Sequence, residues 1–79
     1  MADYTIAKTL DYKGLACPMP VVKISQQIGT VSVGEVIEVH TTDPGSLADF
    51  PAWAKTMGHT IVETMQEPGL IKIFVKRMK

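Results

Sequence analysis

The 79-residue sequence has one cysteine, few aromatic residues and no excess of either charge. A single cysteine excludes an internal disulfide, a Cys-x-x-Cys redox pair and a zinc ribbon. Eight basic and eight acidic residues cancel, so no bulk charge favours nucleic acid or an anionic membrane. No apolar run is long enough to span a bilayer, and the first residues lack a secretion-signal pattern. We therefore expect one cytoplasmic domain, residues 1–79, without a cofactor, a nucleic-acid partner or a membrane partner.

The spacing of apolar residues predicts four strands and two helices. Residues rich in β-formers predict strands at 4–10, 36–41, 59–66 and 70–77. Apolar residues three or four positions apart predict one helix through 21, 24, 28 and 31, and another through 47, 50, 54 and 57. The order strand, helix, strand, helix, strand, strand predicts an α/β (α+β) two-layer sandwich. Its two helices would cover one face of a four-stranded mixed sheet.

Glycine, proline and aspartate predict where the helices begin and end. Gly29 weakens the first helix, which we expect to stop near it. Asp43-Pro44 is a typical helix opening, with the aspartate as the cap. Pro51 interrupts the second helical pattern, which predicts a kink and a second start capped by Asp49. Gly58 is placed to end that helix in a left-handed conformation.

The single cysteine, Cys17, falls at the predicted start of the first helix, directly after a loop. Free N–H groups and the positive end of the helix dipole stabilise a thiolate at such a position. Pro18 and Pro20 both fit the first helical turn and stiffen it, while Gly14 serves the geometry of the loop. A lone cysteine is more often a small buried hydrophobic residue. The residues alone therefore leave a reactive thiol and a structural thiol about equally open.

Other candidate residues have weaker patterns. His40 ends a predicted strand and would approach Cys17 if the first two strands are parallel neighbours. For His40 and His59 a hydrogen-bonded or exposed structural role is the simpler interpretation, and their spacing from Cys17 does not indicate a metal site. Lys23 lies within the first helix, where it is either solvated or near an anionic cargo. Phe50 and Trp53 are interpreted first as core residues and second as a docking surface.

The segment Gly14-Leu15-Ala16-Cys17-Pro18-Met19-Pro20-Val21 resembles the opening of the TusA family, also described as SirA-like. The hallmark of that family is Cys-Pro-x-Pro at the start of the first helix. The similarity continues through 34–36, 43–44 and 49–53 and therefore spans nearly the whole chain. The resemblance implies a two-layer sandwich similar to the C-terminal domain of a bacterial translation initiation factor, and sulfur transfer through Cys17.

The resemblance also implies partners. Members of the family take sulfur from cysteine desulfurases or rhodanese-like proteins. They pass it to DsrE-type proteins for tRNA thiolation or to relays in sulfur-compound oxidation, and some relatives act in selenium or molybdenum-cofactor pathways. Met19 stands where some tRNA-thiolation members have an acidic residue, and Ala48 stands where such a member has arginine. Because both differences affect docking surfaces, the sequence does not select the tRNA pathway.

The sequence thus predicts a sulfur carrier that holds a persulfide or thiosulfonate-type sulfur on Cys17 between partner proteins. Few acid–base residues accompany Cys17, which favours a covalent carrier over a self-sufficient enzyme. Gly14, Pro18, Pro20, Lys23, Asp43 and Asp49 are predicted to support the motif. The alternative is a protein-binding or regulatory module with a structural cysteine. It predicts a buried, unreactive thiol.

Overall fold

The computed structural model describes residues 5–15 and 19–79 of the chain. The strands there are β1 (Ile6–Asp11), β2 (Val36–Thr41), β3 (Thr60–Glu67) and β4 (Leu70–Lys76). The helices are α1 (Met19–Gln27), which a 3-10 turn (Ile28–Thr30) follows, and α2 (Ser46–Met57). In the described part of the chain, neither helix has the length and apolar character needed to cross a membrane.

The four strands form one mixed sheet in the order β1-β2-β4-β3. β1 runs parallel to β2, whereas β4 is antiparallel to both β2 and β3. A parallel neighbour requires a crossover connection, and α1 supplies it between β1 and β2. The predicted fold, four strands in a mixed sheet with two helices, is confirmed.

The core lies between the sheet and the two helices. Alternate residues of β2 and β4 face the helices, since successive strand side chains point to opposite faces. Ile24 from the first helix, Ile28 from the 3-10 turn after it and Phe50 from the second helix pack against them. Burying an aliphatic or aromatic side chain of this size contributes about 1.5–3 kcal/mol. The sheet residues of this core are Ile37, Val39, Ile71, Ile73 and Val75.

Glycine residues end both helices as predicted. α1 stops at Gln27, and Gly29 lies within the 3-10 turn that follows. Gly58 ends α2 with φ of 83°, and the N–H of His59 donates to the Ala54 carbonyl at 2.7 Å. A left-handed residue at this point satisfies carbonyls that the last helical turn leaves without donors.

The predicted second start of the second helix, capped by Asp49, is wrong. α2 is continuous from Ser46 to Met57 with Pro51 inside it, and Asp49 lies in its first turn rather than at a second start. Pro51 lacks the N–H that would bond to the Leu47 carbonyl, so one intrahelical bond is missing. Phe50, fully buried beside Pro51, anchors this part of the helix to the core. Tertiary packing therefore outweighs the local cost of the proline.

Strand boundaries differ from the predicted ones by one or two residues. β1 extends to Asp11, which pairs with His40, while Tyr4 lies outside the described residues. β3 spans Thr60–Glu67 rather than 59–66, and β4 ends at Lys76 rather than at residue 77. The pairing register sets these limits: Thr60 opposes Lys76, and Glu67 opposes Leu70 across a Pro-Gly turn.

Candidate functional site

Both helices begin at the same end of the sheet, where the parallel strands β1 and β2 finish. Asp11 and His40 are paired neighbours at this end, and each strand is followed by a loop that leads toward a helix. These two strands are parallel neighbours, the condition under which the sequence predicts that His40 approaches Cys17. The predicted site residues Cys17 and Pro18 lie outside the described residues, between Leu15 and Met19 in the chain. The described residues on either side therefore define the surroundings of the motif.

Hydrogen bonds hold the first loop close to the sheet. The Tyr12 N–H donates to the His40 carbonyl at 2.7 Å, and the Leu15 N–H donates to the Tyr12 carbonyl at 3.2 Å. The Tyr12 side chain is buried in the core, and this burial raises the pKa of its phenol. Gly14 has φ of 84°, a conformation that glycine adopts at little cost, in line with its predicted part in loop geometry. These hydrogen bonds therefore hold the backbone as far as Leu15, which precedes Cys17 by two residues in the sequence.

The second loop bonds to the first. The Gly14 N–H donates to Thr42 Oγ1 at 3.1 Å, although the two residues are 28 positions apart. The Asp43 carboxylate accepts from the Gly45 N–H at 3.0 Å, and the Ser46 N–H donates to the Asp43 carbonyl at 3.0 Å. Asp43 therefore caps the turn that precedes α2, but its predicted role as the cap of the helix is wrong, because the N-cap of α2 is Gly45. The helix itself begins at Ser46.

The first turns of α1 present a buried side and an exposed side. Pro20 and Ile24 are buried, whereas Met19 and Val22 remain 42% and 41% exposed. Lys23 is partly buried one turn after Met19. Its predicted role toward an anionic cargo stays a prediction. The exposed side of α1 is the surface that directly follows the cysteine in the chain.

His40 lies on the face of the sheet away from the helices. Its neighbours Val39 and Thr41 are fully buried, and Val39 belongs to the core beneath the helices, so alternation directs His40 to the opposite face. There its Nε2 pairs with the Glu38 carboxylate, and both side chains are partly buried. This geometry favours a structural His–Glu pair over a base directed at the helix layer.

His59 is a hydrogen-bonded structural histidine, as the simpler interpretation predicted. Its Nδ1 accepts the Met78 N–H at 3.1 Å, and its ring lies against Trp53 with the centroids 5.6 Å apart. Burial, followed by the charges of Arg77 and Lys79, lowers its pKa. Trp53 in turn packs against the core, which confirms the first interpretation of this residue.

Sequence reasoning missed two residues that hold the first loop, Tyr12 and Thr42. The sequence did indicate an inward position for Tyr12, because it follows Leu10 by two positions and strand alternation places both on one face of the sheet. No pattern in the sequence indicated Thr42, because hydroxyl residues are common in loops and its hydrogen-bond partner, Gly14, is distant in the chain. Asp49 lies partly buried in the first turn of α2.

Comparison with known proteins agrees with this architecture. Bacillus subtilis YrkF, named as a candidate sulfur carrier protein, is 47% identical over 68 residues, covering 86% of this chain. The chain spans only 37% of the length of YrkF. The sulfur carrier protein TusA of Allochromatium vinosum is 38% identical over 77 residues, which cover 98% of this chain and 99% of that protein.

A crystal structure of a SirA-like protein from Desulfitobacterium hafniense superposes with a TM-score of 0.77 at 23% identity. The match covers 91% of this chain and 99% of that one and shows a shared fold. The family model described as sulfurtransferase TusA matches residues 8–77, a range that includes the Cys-Pro-Met-Pro motif and both helices. The chain therefore belongs to the TusA family.

Proposed function

We propose that this chain is a sulfur carrier that holds sulfur covalently on Cys17 and exchanges it with partner proteins. The proposal rests on the position of Cys17. This residue is the only cysteine of the sequence, and it begins the Cys-Pro-Met-Pro motif, which lies within the residues that the family model matches and runs into α1. The predicted carrier role agrees with the names of the relatives, which describe sulfur carrier proteins.

The chemistry requires only a thiolate and a partner. The Cys17 thiolate attacks the outer sulfur of a donor persulfide; an S–S bond forms at Cys17, the donor S–S bond breaks, and the donor leaves as a thiolate. The exchange is neutral in electrons and needs no oxidant. With tetrathionate the thiolate attacks an inner sulfur, the central S–S bond breaks, and thiosulfate leaves. A helix start stabilises an anionic sulfur through its free N–H groups and dipole.

The partners and the setting are part of the proposal. A sulfur carrier exchanges sulfur with other proteins, and we propose cysteine desulfurases or rhodanese-like proteins as donors and DsrE-like proteins as acceptors. We place this exchange in the cytoplasm, in sulfur-compound oxidation or in biosynthetic thiolation. The carrier contributes the covalent site, while the partner supplies the acid, the base and the substrate pocket, so no cofactor is needed.

The test is the intact mass of the protein after incubation with polysulfide and, separately, with tetrathionate. We expect the wild type to gain one sulfur atom or one thiosulfate group, reversibly under reductant, and Cys17→Ala to gain neither. Circular dichroism of Cys17→Ala checks that the fold is retained. The two reagents separate a persulfide cargo from a thiosulfonate cargo.

A failure of loading would favour the binding module instead. In that case the wild type would gain no adduct, and iodoacetamide would alkylate Cys17 much more slowly in the native protein than in urea. Fast native alkylation with a lowered thiol pKa supports the carrier, because accessible thiolates react fastest.

A further inference from the structure

The residues that follow β4 bond to a connection at the end of the sheet opposite the motif. Residues 31–35 form this connection, which leads from the 3-10 turn to β2. The Gly34 N–H donates to the Arg77 carbonyl at 2.7 Å, and the Arg77 N–H donates to the Glu35 carbonyl at 2.9 Å. The Arg77 guanidinium also donates to the Val31 carbonyl at 2.5 Å. Three hydrogen bonds therefore hold Arg77 to this first connection.

The next residue of the chain bonds to a second connection, residues 58–59, which leads from α2 to β3. The Met78 N–H donates to His59 Nδ1 at 3.1 Å. The His59 ring in turn lies against Trp53 of α2, with the ring centroids 5.6 Å apart. We name residues 77–79 the clasp, because they bond to both connections and thereby join the ends of the two helices.

The two halves of the clasp differ in their response to acid. The hydrogen bonds of Arg77 use backbone groups and a guanidinium, which neither gain nor lose a proton near neutral pH. The hydrogen bond of Met78 needs a lone pair on His59 Nδ1, and this lone pair exists only while the ring is neutral. Protonation turns the acceptor into a donor, so the Met78 N–H then loses its partner. Only the half of the clasp at His59 therefore depends on pH.

The charges around His59 repel the clasp once the ring is protonated. Burial and, after it, the charges of Arg77 and Lys79 lower the pKa of His59. Lys76 adds a further cation nearby, since it pairs across the sheet with Thr60, the residue after His59. The α2 side chain against the ring is an uncharged indole, and no carboxylate in residues 5–15 or 19–79 forms an ion pair with the ring. An imidazolium here therefore repels the segment that the neutral ring binds.

We propose that the clasp is a pH-sensitive device: in mild acid Met78 and Lys79 leave His59, while Arg77 stays bound to the first connection. The neutral ring carries its proton on Nε2, so the release takes up one proton from solvent at Nδ1 and breaks one hydrogen bond. The release begins as pH falls below 6.5, the ordinary histidine pKa, and is complete below the lower native pKa. It is local, because neither the hydrogen bonds of Arg77 nor the pairing of β4 involves His59.

The test follows the Met78 amide and the His59 ring by NMR from about pH 8 to about pH 5, the range in which histidines titrate. We expect the Met78 amide resonance to shift with the same midpoint as the His59 ring. The protection factor of this amide, which corrects for the intrinsic pH dependence of exchange, should fall at least about fivefold, as the loss of one hydrogen bond implies. The Gly34 amide, which bonds to Arg77, should keep its protection factor over the same range.

His59→Asn is the matched variant, because its side-chain carbonyl offers an acceptor but does not titrate. Its Met78 amide should show no transition near the midpoint of the wild type, and circular dichroism checks that the variant is folded. Three results would overturn the proposal: the same Met78 transition in His59→Asn, a Met78 amide that stays protected while His59 titrates, or loss of protection at Gly34 together with Met78. The last result would show unfolding of the whole protein rather than release of the clasp. The first two are read from the wild type and the variant independently of any loading of Cys17.

Discussion

His59 shows how one side chain connects the end of a helix with the end of the chain. The Met78 N–H donates to Nδ1, so the ring is neutral and carries its proton on Nε2. Protonation of Nδ1 would remove this acceptor and place a positive charge beside Arg77 and Lys79. Burial is the main cause that lowers the pKa of His59, and these two cations add to it.

The lowered pKa of His59 predicts that the protein loses stability in mild acid. The unfolded chain binds this proton more readily than the native protein, so protonation favours unfolding. The neutral His59 ring contributes to the free energy of unfolding. This contribution is complete above 6.5, the pKa of the histidine in the unfolded chain, and is lost as pH falls through the lower native pKa. Urea unfolding at about pH 7.5 and about pH 5 should show a larger loss for the wild type than for His59→Asn, which keeps an acceptor but does not titrate.

Equal losses in the two proteins would show that other groups cause the pH dependence. Because both proteins share every carboxylate, the comparison isolates the contribution of His59. A reductant in all samples keeps Cys17 from oxidising during the measurement.

At the scale of elements, α2 depends on a glycine that no other residue replaces without strain. Gly58 has φ of 83°, and a Cβ there would also lie 2.6 Å from the side chain of Lys79. The Lys79 side chain is flexible and moves aside, so the backbone conformation dominates. We predict that Gly58→Ala lowers the free energy of unfolding by about 1–2 kcal/mol, the cost of a left-handed non-glycine residue.

Gly29→Ala is the matched control for this prediction. A Cβ at Gly29 meets no atom within 4 Å, and its φ is not in the left-handed region. Alanine there should be neutral or stabilise the protein by up to about 1 kcal/mol. Urea denaturation measures both variants, and equal changes would contradict the role assigned to Gly58.

The elements were predictable where periodicity was strong and burial agreed with it. Ile24 and Phe50 belong to the three- and four-residue spacings that predicted the two helices, and both are fully buried in the core. Pro51 misled the prediction because local propensity ignores the packing of Phe50 beside it. Within the site, the role of Cys17 stays a prediction and the part of Gly14 in loop geometry was predictable, whereas the role of Thr42 depends on a contact between distant parts of the chain. Such contacts follow from the sheet topology rather than from a local pattern.

At the scale of the whole molecule, the parallel pairing of β1 and β2 joins two loops that are far apart in sequence. Their carboxyl ends lie side by side, which brings Gly14 within hydrogen-bond distance of Thr42. The bond fixes a backbone position three residues before Cys17. The position of Gly14 therefore depends on the sheet topology as well as on the local sequence.

Replacement of the Thr42 hydroxyl should loosen the first loop without unfolding the protein. In Thr42→Val the Gly14 N–H loses its acceptor, a bond worth about 1 kcal/mol, so amide exchange at Gly14 should accelerate about fivefold. Thr42→Ser keeps the hydroxyl and should exchange as the wild type does. Loading of Cys17 by polysulfide should slow in the valine variant alone. Unchanged exchange at Gly14 in Thr42→Val would mean that the loop is held by the bonds of Tyr12 and Leu15, and that the sheet positions it without help from the second loop.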